Sequence, residues 1–420
     1  MAAFAPPPGT ADVFPAEAGN WRFLENSAAE IFSSYGYGEL RTPVFEYTEV
    51  FQRGLGGETE VVQKEMYTFT DRGGRSLTLR PEGTAGVMRA LTNTDVANGT
   101  EQRVFYYGPM FRGERPSAGR RRQFHQIGVE NVGRCAPLID AECIAMLHNY
   151  LKKIGIEGAV FSINTRGVAA DRVEAEKVLR EYFAAHIDKM CPDCRTRLDR
   201  NIWRILDCKQ DNCKEIIAGS PDYLEYFSAE SKAYFEEVKE ALTALGVPFE
   251  SNSRLVRGLD YYVHTVFEVT HPALGEQIAI AGGGRYELFL PGEKRPLPGV
   301  GFAAGVERLL LVREALQCEA ADNCNTAIFM IGLDAKARMA NLVLADSLRS
   351  RGVRVELSLE ERSFKAQMRA ANSCHAQFAL IRGESEMEKK CAILKNMSDG
   401  SQVEIPENEL TEYILSNIKK

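Results

Sequence analysis

Residues 102–130, QRVFYYGPMFRGERPSAGRRRQFHQIGVE, constrain this chain most. Aromatic and β-branched residues fill 103–112 and return at 122–132, while turn-formers occupy 113–121, so the stretch predicts an antiparallel hairpin. Side chains alternate along a strand, which places Phe124, Gln126, Gly128 and Glu130 on one face and His125, Ile127, Val129 and Asn131 on the other. A face of Phe, Gln, Gly and Glu is not a core. Buried polar groups cost free energy unless paired, so Gln126 and Glu130 beside a glycine that leaves room suggest the floor of a polar ligand pocket; a solvated sheet face is the alternative.

The loop carries Arg112, Arg115, Arg120, Arg121 and Arg122, relieved by Glu114. Guanidinium groups offer planar paired donors that suit phosphate oxygens, and Phe124 offers a face on which a nucleobase could stack. A solvated basic hairpin tip accounts for the same charges. The net charge of −7 speaks against a generally basic nucleic-acid binder but not against a local basic surface.

At 420 residues the chain has room for two or three domains, and 45% hydrophobic with 26% charged residues is a globular composition. No apolar run approaches the ~18 residues needed to span a membrane, and MAAFAPPPGTADVFP lacks the features of a secretory signal, so a cytoplasmic protein is expected. Ten unevenly spaced cysteines suit reduced thiols. Four of them, Cys191, Cys194, Cys208 and Cys213, are spaced C-x2-C-x13-C-x4-C. Two close thiol pairs fit a tetrahedral zinc site, yet DCKQDNC is looser than C-x2-C, and the spacing leaves metal binding open.

In chain order, residues 19–33 have helical spacing and end at the glycines of SSYGYGE; LRTPVFEYTEVF then reads as extended. EMYTFTDRGGRSLTLR predicts a hairpin turning at Arg72 to Gly74, followed by a break at Pro81 and a helix. PLIDAECIAMLHNYLKKIG is a helix and GAVFSIN a strand; residues 168–246 are helical and charged. SRLVRGLDYYVHTVFEV and QIAIAGGGRYELFL resume a sheet, and GVGFAAGVERLLLVREAL opens on glycines and continues as a helix. After a linker at CEAADNCN, alternating strands and helices from Thr326 predict a small α/β domain with a mostly parallel sheet.

The segment FRGERPSAGRRRQFHQIGVE resembles motif 2 of the class II aminoacyl-tRNA synthetases in its histidyl-tRNA synthetase form. The resemblance implies that Arg112 holds the α-phosphate of ATP, Glu114 reads the adenine amino group, Phe124 stacks on adenine, and Arg115 with its neighbours reaches the tRNA acceptor end. The early helix and Pro43 resemble motif 1, which implies a homodimer, while PPPGTADVFP departs from the family's pattern at Pro8, where an arginine usually sits. PEGT resembles the segment that surrounds the α-amino group of bound histidine, through Glu82, Gly83 and Thr84.

LVRGLDYY resembles the histidine-specific segment, which implies that Arg257 touches the α-phosphate and substrate carboxylate region, that Tyr261 and Tyr262 line the imidazole pocket with Glu130, and that Gln126 is a further substrate-binding residue. AGGGRYELFL departs from the family after its tyrosine, leaving a backbone role for Gly282 to Gly284. VERLLLVREAL resembles motif 3, with Arg308 clamping the ATP tail. The family does not need zinc, so no metal ligand is assigned by resemblance.

The resemblance therefore implies an α+β fold: a class II antiparallel-sheet catalytic core over residues 1–322, with a helical insertion at about 168–246, and an α/β anticodon-binding domain over 323–420. Expected ligands are ATP with Mg²⁺, L-histidine and tRNA(His). The rival reading is a non-catalytic synthetase-like regulatory subunit of histidine biosynthesis; such paralogues lose ATP-site residues and the C-terminal domain, which this chain keeps. A synthetase for another amino acid is a third reading, opposed by RGLDYY.

Overall fold

The structure, a computed structural model, describes residues 5–55, 59, 61–117, 119–256, 261–275, 278–289, 296–319 and 326–418. The chain divides into two compact units, Met1–Glu319 and Ala320–Lys420. The predicted linker at 318–325 falls mostly outside the described residues. No described helix is long and apolar enough to cross a membrane.

In the first unit, α1 (Pro15–Ser34) begins at a proline, whose missing N–H costs nothing in a first turn, and buries Leu24, Ala28 and Phe32 at four-residue spacing. β1 (Gly38–Glu39) and β2 (Phe45–Tyr47) follow. The stretch predicted as extended through residue 51 coils at Thr48 into α2 (Thr48–Leu55) instead. Phe51 of α2 is buried against Ala85, a tertiary contact that local propensity does not encode. β3 (Thr68–Thr70) and β4 (Ser76–Leu79) form the predicted hairpin and pair with β2 in a three-stranded sheet, ahead of α3 (Thr84–Leu91).

The central hairpin is β5 (Gln102–Phe111) and β6 (Gln123–Val132), paired without a break from Gln102 opposite Val132 to Phe111 opposite Gln123. Then come α4 (Pro137–Lys153), β7 (Val160–Thr165), the insertion helices α5 (Ala169–Ala185), α6 (Pro192–Arg200), α7 (Asp211–Ala218) and α8 (Ala229–Ala244), and β8 (Glu250–Ser251). β9 (Tyr262–Thr270), β10 (Ala279–Leu288), β11 (Leu297–Gly305) and α9 (Val306–Ala315) complete the unit. The glycines expected to open the last helix lie in β11, which pairs with both β6 and β10.

One eight-stranded sheet results, ordered β1-β5-β6-β11-β10-β9-β7-β8 and antiparallel except at its two edges. Ile127 and Val129 of β6 face a core shared with α1, α4 and α9, as alternation requires. The insertion has its own core around Phe183, Trp203 and Tyr223, reaching Phe227. Its last helix does not belong to that core: Phe235, Val238 and Leu242 of α8 join the main one.

The second unit holds β12 (Ile328–Gly332), α10 (Ala335–Arg349), β13 (Val355–Leu357), α11 (Phe364–Ser373), β14 (Phe378–Arg382), α12 (Glu384–Lys389), β15 (Cys391–Asn396), β16 (Gln402–Pro406) and α13 (Leu410–Asn417). Its sheet, β13-β12-β14-β15-β16, is mixed, not mostly parallel: the first three strands are parallel and the last two antiparallel. The link from β14 to β15 is too short for a parallel crossover, and Lys390, at φ 51°, ends α12 and turns the chain back.

A buried ion pair fastens the sheet to its helical layer. Arg285 of β10 donates from Nε to Asp140 Oδ1 of α4 at 2.7 Å and from Nη1 to the Arg134 carbonyl at 2.8 Å, while the Tyr234 hydroxyl donates to Asp140 Oδ2 at 3.0 Å. Both side chains are 0% exposed. Removing one partner leaves the other charge buried and uncompensated, so Asp140→Ala is expected to destabilise the first unit by about 3–5 kcal/mol, measured by denaturant unfolding.

Candidate active site

Two adjoining recesses open on the polar face of the sheet, sharing Arg112, Gln126, Tyr262, Gly282 and Ala303 as lining. The larger is a groove of about 1130 Å³ beneath the Arg112–Arg122 loop, lined also by Glu114, Phe124, Glu268 and Arg308. The smaller, about 100 Å³, is lined by Glu82, Thr84, Tyr106, Glu130, Tyr261 and Tyr286. Its size suits one small polar side chain.

Glu130 is the centre of the smaller recess. It is 2% exposed; Oε1 accepts from the Thr84 hydroxyl at 2.6 Å and Oε2 from the Tyr286 hydroxyl at 2.7 Å. Gly301 on the neighbouring strand makes the room, since a Cβ there would stand 2.2 Å from Glu130 Oε2. The space at Gly128 is taken by protein: the phenol of Tyr106 fills it, packing equally against Gly83, so that glycine admits a side chain of the fold and not a ligand.

Glu82 caps α3. Its two oxygens accept the backbone N–H groups of Thr84 and Ala85 at 2.7 and 2.8 Å, which fixes Thr84 between the two carboxylates. Gln126 offers a buried Oε1 with no hydrogen-bond partner among the described residues, at the junction of the recesses. Such an atom is costly unless a ligand donates to it.

Arg112 stands at the same junction. Its Nε donates to the Pro81 carbonyl at 2.9 Å and its guanidinium lies 5.3 Å from the Phe124 ring centroid, so in this structure Phe124 stacks on an arginine. Glu114 is 3.9 Å from Arg112 and 3.8 Å from Arg120. Arg308 donates from Nε to the Gly119 carbonyl at 2.9 Å and from Nη1 to that of Ala279 at 2.5 Å, tying the basic loop to the sheet. Arg115 is exposed beyond the groove lining. Pro8 is also exposed, but the carbonyl of Gly9 accepts from Arg122 and Gln123 N–H, bracing the loop. Arg257 lies outside the described residues.

Burial sets the electrostatics. Desolvation pushes the Glu130 carboxyl up from 4.5 to about 8, against the pull of its two hydroxyl donors and with a further push from Glu82. Desolvation likewise raises Glu82, and it holds the phenols of Tyr106, Tyr261 and Tyr286 protonated. Tyr106 and Tyr286 are the site residues that sequence reasoning missed. Tyr286 shares a strand face with Gly282 and Gly284, and that alternation was the signal available for it.

An antiparallel sheet with a basic loop over a groove, and a small acid-and-tyrosine recess beside it, is the catalytic core of a class II aminoacyl-tRNA synthetase. Within that class the chain belongs to the histidyl-tRNA synthetase family, whose sequence pattern matches residues 9–309, and the pattern of the anticodon binding domain matches 327–417. It is 43% identical to "Histidine--tRNA ligase" of Geobacillus thermodenitrificans over 423 residues, covering 100% of this chain and 99% of the relative. Apo S. aureus histidyl-tRNA synthetase superposes with a TM-score of 0.82 at 35% identity, over 98% of this chain and 99% of the other. A Bacillus halodurans structure described as an ATP phosphoribosyltransferase regulatory subunit/histidyl-tRNA synthetase shares the fold at 22% identity, TM-score 0.66, over 91% and 99%.

Because the folded state raises the Glu130 carboxyl, it favours the proton more than the unfolded chain does. Stability from this group is fully present below about 4.5 and lost as pH rises through about 8. Ligand-free wild-type protein is therefore expected to lose stability relative to Glu130→Gln across that window and to level off above it, read as the difference between their melting temperatures against pH.

Proposed function

We propose that the protein is a histidine–tRNA ligase, which joins histidine to ATP as histidyl-adenylate and passes the histidyl group to the 3′ end of tRNA(His). The observation that carries this is Glu130: a buried carboxylate with hydroxyl donors on both oxygens, in a recess the size of an imidazole, opening beside an arginine-lined groove. Once ionised, which burial resists, Glu130 keeps a lone pair on each oxygen after accepting from Thr84 or Tyr286, so it can take a ring N–H, and that bond favours the charged form. Tyrosine hydroxyls of the recess can serve the other ring nitrogen. The ammonium of the amino acid fits beside Glu82, offsetting the desolvation of that carboxylate.

That placement directs the substrate carboxylate toward Arg112 at the junction. In the first step a carboxylate oxygen attacks the α-phosphorus in line; the new O–P bond forms as the bond to pyrophosphate breaks. The demand is positioning and charge neutralisation, which Arg112 supplies, with Arg257 as the family's second cation. A hydroxyl of the terminal ribose then attacks the acyl carbon, and AMP leaves. Glu114 and Phe124 would hold the adenine, which requires Phe124 to exchange one face from Arg112 to the base. Glu65 and Glu268 place hard oxygen donors in the groove, suited to the Mg²⁺ that accompanies ATP.

The regulatory alternative is disfavoured by the match at 327–417 to an anticodon binding domain and by retention of Arg112, Glu114 and Arg308. A cytoplasmic homodimer fits the same reading, since Phe45, Tyr47 and Phe69 of the three-stranded sheet are exposed, with the Phe45 and Phe69 rings 6.3 Å apart, as an apolar contact face.

ATP–pyrophosphate exchange with a panel of amino acids tests the reading: exchange with histidine supports it, no exchange with any amino acid favours the regulator, and exchange with another one moves the specificity. Glu130→Gln is expected to weaken histidine tenfold to a hundredfold, in line with the roughly 1.5–3 kcal/mol of a hydrogen bond to a charged group, while ATP affinity is retained. Unchanged histidine affinity with weaker ATP would place the imidazole elsewhere. Arg257→Ala is expected to slow adenylate formation by about 10² to 10³, with transfer from preformed adenylate suffering less. Rapid quench separates the two half-reactions, and equal losses in both would make Arg257 structural.

A further inference from the structure

We propose that Cys191, Cys194, Cys208 and Cys213 bind one structural Zn²⁺ in the helical insertion, an inference independent of the ligase reading. The four Sγ atoms all lie within 4.8 Å of one another, and those of Cys191 and Cys208 are 3.8 Å apart. Four sulfurs at about 2.3 Å from a tetrahedral zinc are separated by about 3.8 Å, so the thiols already stand close to the ligand positions. All four are free cysteines.

Three short pieces of chain converge to make the cluster. Cys191 caps α6 and Cys194 lies in its first turn; Cys208 ends the turn after Trp203; Cys213 lies in the first turn of α7. Cys191, Cys194 and Cys213 thus stand at two helix N-termini, and the Cys191 N–H donates to Cys213 Sγ at 3.3 Å. Buried cysteines often act as small apolar fillers, and Cys194, Cys208 and Cys213 do belong to the insertion core, with Cys191 packed against it. Packing alone, however, gives no reason for four sulfurs from three segments to face one point.

The physical need is evident from size. Apart from Val256, the insertion core is drawn from Ala175 to Phe227, a length at which apolar burial by itself is marginal and a metal contributes folding free energy directly. Binding converts four thiols and Zn²⁺ into a tetrathiolate complex with release of four protons. The staple also has a consequence for the groove: Leu206, Asp207 and Lys209, which flank Cys208, line its wall, so fixing Cys208 fixes that wall.

Full-length protein purified without added zinc is expected to carry about one zinc per chain by elemental mass spectrometry. After zinc is removed with a chelator, Co²⁺ is expected to restore the fold and to give the visible ligand-field and thiolate charge-transfer absorption of a tetrahedral sulfur site. Cys194→Ser and Cys213→Ser are expected to lose the zinc and to expose the insertion to protease, while Cys374→Ser, in the second unit, keeps it. If those variants fail to fold, the cobalt spectrum of the wild-type chain still decides. The proposal is overturned by a folded wild-type preparation without metal, by iron in place of zinc, by disulfides among the four cysteines in peptide mapping, or by cobalt uptake without the thiolate bands.

Discussion

One desolvated carboxyl group organises the candidate site. Glu130 is nearly free of water, and the cost of keeping it there is offset only if donors reach both of its oxygens. Those donors come from different elements: Thr84 from the start of α3 and Tyr286 from β10. Each is held in turn. Glu82 caps α3 and sets Thr84, while the buried Arg285–Asp140 pair, one residue from Tyr286, locks β10 to α4. Gly301 leaves the space in which the carboxylate sits. A change far from the recess, at Asp140, is therefore connected to it through a single strand.

The groove obeys a different logic. Its arginines are engaged by protein carbonyls: Arg112 by Pro81, Arg308 by Gly119 and Ala279. These contacts fix the guanidinium groups in advance without adding formal charge, and Glu114, 3.9 Å from Arg112 and 3.8 Å from Arg120, offsets only part of the positive charge. On the proposed function, a phosphate entering the groove would find its donors already oriented, which lowers the reorganisation needed at the moment of reaction. The small recess is built on paired hydrogen bonds and the groove on charge, and Gln126, whose Oε1 has no hydrogen-bond partner among the described residues, stands between them.

The remaining parts are built as separate cores. The insertion closes around Trp203 and Tyr223, with three of its clustered thiols inside that core, and returns through α8 to the main core. The second unit packs α10 and α13 against its mixed sheet through Leu348, Leu410 and Ile414. The family match at 9–309 falls within the first unit and the anticodon binding domain match at 327–417 within the second, so the two matched parts have independent cores.

Much of this was legible in the amino-acid order. Alternation placed Gln126 and Glu130 on the polar face of β6 and Ile127 and Val129 in the core, because a strand has no other way to dispose neighbouring side chains. Turn-formers marked the loop, and four-residue spacing marked α1 and α4. Local pattern could not reveal pairings across long stretches of chain. That Thr48 starts a helix was decided by Phe51 meeting Ala85, and that the gap at Gly128 is filled was decided by Tyr106 on the adjoining strand. The raised Glu130 carboxyl, the capping role of Glu82, the Arg285–Asp140 pair and the meeting of four cysteine sulfurs all depend on distances between residues remote in sequence. Side-chain type and periodicity are properties of the chain; desolvation and convergence exist only once it has folded.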